Sequence, residues 1–171
     1  MIILIGGKAG SGKDTVGNII ANTIFCHRDA FATSLKELAC EMGWDGIKNF
    51  RGRKLLQRLG AVGREYNPNI WVDSVVRRIN TAFFIDNRVN VAIVTDFRFP
   101  NEYKRIVERF PDHEVKTIKV TGRKEHLGYN AKDKSETSLN DFIFDATIVN
   151  SGTLQDLESE VKSLLKEWCL T

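Results

Sequence analysis

The stretch that most constrains this chain is Gly7-Lys8-Ala9-Gly10-Ser11-Gly12-Lys13-Asp14-Thr15. It follows an apolar run, Ile2-Ile3-Leu4-Ile5, that reads as a buried strand. It opens into Val16, Ile19, Ile20 and Ile24, which repeat at helical spacing. Strand, glycine-rich turn and helix form the context that a loop of the pattern G-x-x-x-x-G-K-[ST] requires. Glycines let the backbone wrap closely around an anion, so that several N–H groups point inward at it. The start of the helix adds its positive dipole end. Gly7, Lys8, Gly10, Ser11, Gly12 and Thr15 are therefore read as the cradle, and Lys13 as the point charge that reaches the β- and γ-phosphates of a nucleotide.

One position departs from that pattern. The last slot, where a Ser or Thr hydroxyl ordinarily meets Mg²⁺, holds Asp14. A carboxylate beside a polyphosphate is repelled unless a cation lies between them. Asp14 is thus a candidate metal ligand for Mg²⁺, with a salt bridge to another part of the protein as the alternative.

Several classes of function fall away on composition. The chain has 171 residues, of which 42% are hydrophobic, enough for one core and too polar for a membrane protein. No apolar run reaches the roughly 18 residues of a bilayer span. The first strand lacks the basic flank of a signal peptide. Cys26, Cys40 and Cys169 are far apart and odd in number, which fits reduced thiols in a cytoplasmic protein. A net charge of +3 is small for a nucleic-acid binder and leaves room for a local anion site.

Beyond the loop, Asp29 to Ala32 predicts a short strand, and Leu35 to Met42 a helix with Lys36 in its first turn. Trp44 to Gly52 predicts a loop. Leu55, Leu56, Leu59 and Val62 recur at helical spacing and predict a core-facing stripe, with Arg53, Arg58 and Arg64 off that face. Trp71 opens a further amphipathic helix that ends near Asn87. Val91 to Thr95 is a continuous apolar strand of the kind found in parallel sheets covered on both faces. It runs into Asp96, at the carboxyl end of the strand, where open α/β sheets bind ligands. Three roles are open to Asp96: contact with Mg²⁺ through water, orientation of an attacking oxygen, or a hold on Arg98. Val115 to Val120 is another strand. The polar, basic segment at about 122–136 predicts a lid. A last strand, Ala146 to Val149, and a capped helix from Leu154 close the chain. The pattern predicts one α/β domain over residues 1–171. Its sheet is doubly wound and mostly parallel, with the phosphate loop after strand 1 and a short lid.

With these residues in view, the chain resembles the deoxynucleoside monophosphate kinases of bacteriophages, a branch of the P-loop kinases. Gly12-Lys13-Asp14-Thr15 matches their loop ending. Arg53 through Ala61 is similar to their R-x-L-x-Q-x-L-G-T segment, with Ala61 in place of Thr. Trp71-Val72 and Asp96-Phe97-Arg98-Phe99-Pro100-Asn101-Glu102 match later segments. Ser135-Glu136 and the final strand and helix extend the likeness over most of the chain. The chain lacks a large insertion found in that family between strands 2 and 3. The resemblance implies transfer of the ATP γ-phosphoryl group to a nucleoside monophosphate, with Mg²⁺. It implies that Leu35, Lys36, Arg53, Gly60, Ala61, Trp71, Asp96, Arg98 and Glu102 surround the monophosphate. Lys13, Asp96, Arg98 and, from the lid, Arg123 would serve the transfer. The implied partners are small nucleotides, in a host-cell cytoplasm if the chain is phage-encoded. Neither a membrane nor nucleic acid is expected, and nothing opposes a homodimer. Other acceptors, phosphomevalonate or dephospho-coenzyme A, and a non-catalytic nucleotide switch are the competing readings.

Overall fold

The computed structural model describes residues 1–122 and 134–171. Five strands form one sheet: β1 (Ile2–Gly6), β2 (His27–Asp29), β3 (Ala92–Phe97), β4 (Val115–Thr121) and β5 (Ala146–Val149). Their order is β2-β3-β1-β4-β5, and every pairing is parallel. The doubly wound α/β expectation holds, and the sheet is wholly rather than mostly parallel. The helices are α1 (Lys13–Thr23), α2 (Thr33–Glu41), α3 (Phe50–Tyr66), α4 (Ile70–Ile85), α5 (Pro100–Arg109), the single turn α6 (Lys134–Thr137) and α7 (Leu154–Glu167).

Side chains alternate across a strand, so an all-apolar strand must be covered twice. Ile3 and Ile5 of β1 pack with Val16 and Ile20 of α1 and Val161 and Leu165 of α7. Ile2 and Leu4 face the other way, onto Val72, Val75 and Ile79 of α4 and Ile106 of α5. The connection after β1 therefore covers one face and the connection after β3 the other. These two strands are neighbours, so a crevice opens at their carboxyl ends, between the phosphate loop and Asp96.

Helix α3 departs from its expected role. Its leucine stripe does not enter the core: Leu55, Leu56 and Leu59 are only half-buried and Val62 is 62% exposed. The buried positions are Gly52 and Gly60. The reason lies in what the helix packs on. It leans on α2 and α4 rather than on the sheet, and approaches them through glycines. The helix also begins earlier than the sequence suggests. Asn49 caps it, Oδ1 accepting from Gly52 N at 2.9 Å, so Gly52 is a helical residue and not loop punctuation. A methyl group at Gly52 would collide with the Ile47 carbonyl, which explains the glycine.

Candidate active site

The phosphate loop joins β1 to α1. Gly7 and Gly12 have φ of 143° and 103°, in the region that favours glycine. Space demands them as well. A methyl group at Gly7 would strike the Val120 carbonyl, and one at Gly12 would strike Asn150 Nδ2. Gly12 offers α1 no side-chain cap, so the opening N–H groups of the helix are left to serve an anion. Lys13 is buried and arches back over the loop, its Nζ donating to the Lys8 carbonyl at 2.6 Å. The buried Ser11 hydroxyl has no hydrogen-bond partner among the described residues.

A second support of the loop carries no sequence signature. Asn150, just past β5, is 5% exposed, and its Nδ2 donates to the Ser11 carbonyl at 2.9 Å. Its own N–H donates to Thr121 O at 2.8 Å, which ties the loop to the end of β4. The chain distance of 139 residues between Ser11 and Asn150 is why periodicity and motif reading pass over it.

Beside the loop lies a cavity of about 360 Å³. Ala9, Gly10, Lys13 and Asp14 form one wall. The turn after β2 and α2 contribute Phe31, Ala32, Leu35 and Lys36. Helix α3 contributes Arg53, Leu56, Gln57, Gly60 and Arg64, and α4 contributes Trp71. The end of β3 and the start of α5 supply Thr95, Asp96, Arg98, Phe99 and Glu102. Of the residues singled out from the sequence, Gly10, Lys13, Asp14, Leu35, Lys36, Arg53, Gly60, Trp71, Asp96, Arg98 and Glu102 line this one space. Gly7, Ser11, Gly12 and Thr15 build the loop behind it. Gly7 and Lys8 instead border a smaller cavity of about 260 Å³, which Arg98 also lines. Ala61 is exposed and does not line the cavity, a correction to its expected place. It follows Gly60 on α3, and one step along a helix turns a side chain by about 100° away from its neighbour's face. Arg123 and most of the expected lid at 122–136 lie outside the described residues.

Six cationic side chains and three carboxyls line the cavity, and the acids are largely committed to the protein itself. Asp96 Oδ1 accepts from Phe31 N at 2.6 Å and Oδ2 from Ala32 N at 3.0 Å. It therefore clamps the turn that starts α2 to the end of β3. Glu102 is buried, and its Oε2 accepts from Arg98 N at 2.8 Å and Phe99 N at 3.0 Å. It caps α5 from inside, because the N-cap residue, Phe99, has no side-chain acceptor. Burial pushes the Glu102 carboxyl up to about 8, with the nearby Asp96 charge adding to the rise and the two N–H bonds opposing it. Asp14 Oδ1 accepts from Arg28 Nη2 at 3.2 Å and from Thr95 Oγ1 at 3.3 Å.

Three of the cations, Lys36, Lys48 and Arg53, lie close together. Lys48 was not anticipated, because it stands in a loop without a motif. Its amine is held below the usual lysine range by partial burial first and then by the like charge of Lys36; Arg53 adds to this, while Asp14 and Asp96 pull the other way. Arg53 Nε donates to the Lys48 carbonyl at 2.9 Å, so the loop and α3 present their charges together. Phe31, Trp71 and Phe99 bring aromatic surface to the same cavity. The Arg64 guanidinium lies 4.4 Å over the Phe99 ring. Trp71 Nε1 donates to the Gly60 carbonyl at 3.2 Å, which fixes the indole against α3.

Similar folds occur in several solved kinases. A gluconokinase from Sinorhizobium meliloti 1021 matches with a TM-score of 0.55 at 14% identity, over 97% of this chain and 91% of that one. A sugar kinase from Janibacter sp. HTCC2649 matches at 0.55 and 15%, over 99% and 95%. Shikimate kinase from Aquifex aeolicus matches at 0.51 and 12%, over 99% of each chain. The chain shares the fold of these solved proteins. In sequence, the chain is 27% identical over 161 residues to the uncharacterized protein ORF77 of Ictalurid herpesvirus 1 (strain Auburn), covering 93% of this chain and 68% of that protein. No protein-family profile matches the chain. No helix among the described residues is long and apolar enough to cross a membrane.

Proposed function

We propose that this protein transfers the γ-phosphoryl group of ATP to a nucleoside monophosphate, with deoxynucleotides as the expected acceptors. The observation that carries this reading is the pairing, in one cavity, of a phosphate loop with four further cations: the close group Lys36, Lys48 and Arg53, and Arg98 on another wall. A protein that only binds or hydrolyses a nucleotide needs one anion site. A phosphotransferase with a phosphorylated acceptor needs two, facing each other.

In this reading the loop amides and Lys13 hold the β- and γ-phosphates. Lys36, Lys48, Arg53 and Arg98 hold the acceptor phosphate in line with them. An acceptor oxygen attacks the γ-phosphorus, the bond to the β-phosphate oxygen breaks, and ADP leaves. Little covalent work falls to the protein, so positioning and charge stabilisation carry the catalysis. Arg123 would add a further cation from the lid. The base would lie between Trp71 and the Arg64–Phe99 stack, with the Gln57 amide within the same wall.

The metal reading rests on the donor set. Asp14 and Thr95 offer hard oxygens at the mouth of the loop, 3.3 Å apart. Among the described residues no group of three or more His, Cys, Asp or Glu could hold a metal. That pair of oxygens fits Mg²⁺, which takes one or two protein oxygens and completes its shell with phosphates and water. Bound there, it would neutralise charge on the transferring phosphoryl group.

The solved kinases of similar fold named for gluconate, sugar or shikimate raise a hydroxyl acceptor as the second reading. A hydroxyl needs a general base to take its proton. Asp96 is the carboxylate placed for that task, yet both its oxygens are bonded to backbone amides. A phosphate acceptor, already anionic at neutral pH, needs no base, so the Asp96 geometry favours it. The test is ADP release from Mg-ATP with each deoxy- and ribonucleoside monophosphate. Gluconate, shikimate, phosphomevalonate, dephospho-coenzyme A and a no-acceptor control complete the panel. Turnover with particular monophosphates is the expected result. Turnover with a hydroxyl acceptor, or release that ignores the acceptor, overturns the proposal.

A further inference from the structure

The Walker-type loop ends in an acid, and the fold has placed a cation against it. Asp14 Oδ1 is held by Arg28 Nη2 at 3.2 Å and by Thr95 Oγ1 at 3.3 Å. Both bonds fall on the same oxygen. Arg28 comes from β2, on the far side of β3 from the loop, and has to pass the flank of α1 to arrive. Gly17 lets it pass. A methyl group there would collide with Thr95 Cγ2 and lie 3.2 Å from Arg28 Nε. Glycine is disfavoured inside a helix, and here it sits against both of the groups that meet on Asp14, Arg28 and Thr95.

We propose that Arg28 is a positioning residue that sets the balance between metal-free and metal-bound nucleotide at the loop. The inference rests on the reading of the loop as an ATP site, and it concerns binding rather than transfer. Without a divalent cation, Asp14 is a bare anion next to a triphosphate, and Arg28 offsets its charge. With the cation present, the carboxylate is wanted by the metal, and a guanidinium on the same carboxylate competes with it and repels it. Arg28 therefore favours metal-free ATP and opposes the metal complex. A loop ending in Ser or Thr has no charge at this position and no need of such a partner.

The prediction has opposite signs in its two arms. Replacing Arg28 by Gln should weaken metal-free ATP and tighten the metal complex, each by about 2- to 5-fold, the range of exposed ion pairs. The readouts are titration of a fluorescent ATP analogue in EDTA and in excess Mn²⁺, and Mn²⁺ binding to the protein–nucleotide complex followed by electron paramagnetic resonance. Arg28→Lys keeps the charge and should keep the wild-type ratio, which also guards against a folding defect in the first variant. In an Asp14→Asn background, Arg28→Gln should no longer move the metal arm. Equal weakening in both arms, an unchanged ratio, or a shift that persists without the Asp14 carboxylate would overturn the proposal. Because no acceptor is present, nucleotide binding with the expected ratio but no acceptor-dependent turnover removes the kinase reading and leaves this inference standing. Failure of the wild type to bind nucleotide removes both.

Discussion

Asp96 is the residue whose role the geometry most sharpens, and Asp96→Asn tests it. Each carboxylate oxygen accepts one backbone N–H, from Phe31 at 2.6 Å and Ala32 at 3.0 Å. An Asn can satisfy only one of these amides. Its NH₂ group would face the other, donor against donor. The change removes a charge-assisted bond of about 1.5–3 kcal/mol and leaves a partly buried N–H without an acceptor, for a total of about 2–4 kcal/mol. At about 2–4 °C per kcal/mol for a domain of this size, Tm should fall by about 4–16 °C. The turn that loosens carries Leu35 and Lys36 into the cavity, so the KM for the acceptor should rise, by about tenfold, with kcat less affected. The assays are thermal unfolding followed by circular dichroism, and ADP release at varied acceptor concentration. An unchanged Tm and acceptor KM, combined with a fall in kcat of about 100-fold or more, would refute this reasoning. Asp96 would then be a reacting base, and the hydroxyl-acceptor reading would gain.

The other predictions concern the loop, the buried acid and the second cation cluster. Asn150→Ala leaves the Ser11 carbonyl without its buried donor, at about 1–3 kcal/mol, and nucleotide titration should show ATP binding weakened by about 5- to 100-fold; unaltered affinity would mean the loop holds its shape unaided. Glu102 has a folded-state value near 8, above the ordinary value of about 4.3 for an unfolded chain. The folded state therefore binds the extra proton, and the stability this group confers is full below about pH 4 and declines as pH rises through 8. Urea midpoints should fall from pH 5 to 9 in the wild type, while Glu102→Gln, which mimics the neutral acid, should flatten that slope; parallel slopes would contradict the buried-acid reading. Lys48→Ala should raise the acceptor KM by about tenfold while the ATP affinity stays put, since its like-charged neighbours are Lys36 and Arg53; a change in ATP affinity alone would place Lys48 on the donor side.

The loop could be read from the chain because its chemistry is local. Nine consecutive residues carry the turn, the donors and the lysine, and the apolar runs on either side say which elements they join. The parallel sheet was legible for the same reason, since β1 and β3 are apolar without alternation and so must be covered on both faces. The strand-end position of Asp96 follows from that pattern too. Helix α3 was misread because spacing shows that a stripe exists and not what lies opposite it. Leu56 borders the cavity, Leu55 and Leu59 stay half-buried outside the core, and Gly52 and Gly63 make the close contacts.

What the sequence by itself determined is the phosphate loop and the α/β class, because each depends on neighbours within a few positions, while most other cavity residues were named only through the resemblance to a kinase family. Tertiary structure alone decided the roles. Asn150 reaches a loop 139 residues away, Asp96 clamps amides more than sixty positions before it, and Arg28 meets Asp14 across the flank of α1, where Gly17 leaves room for it. Those contacts are set by strand order and by the space between packed elements, and no local pattern of residues encodes either.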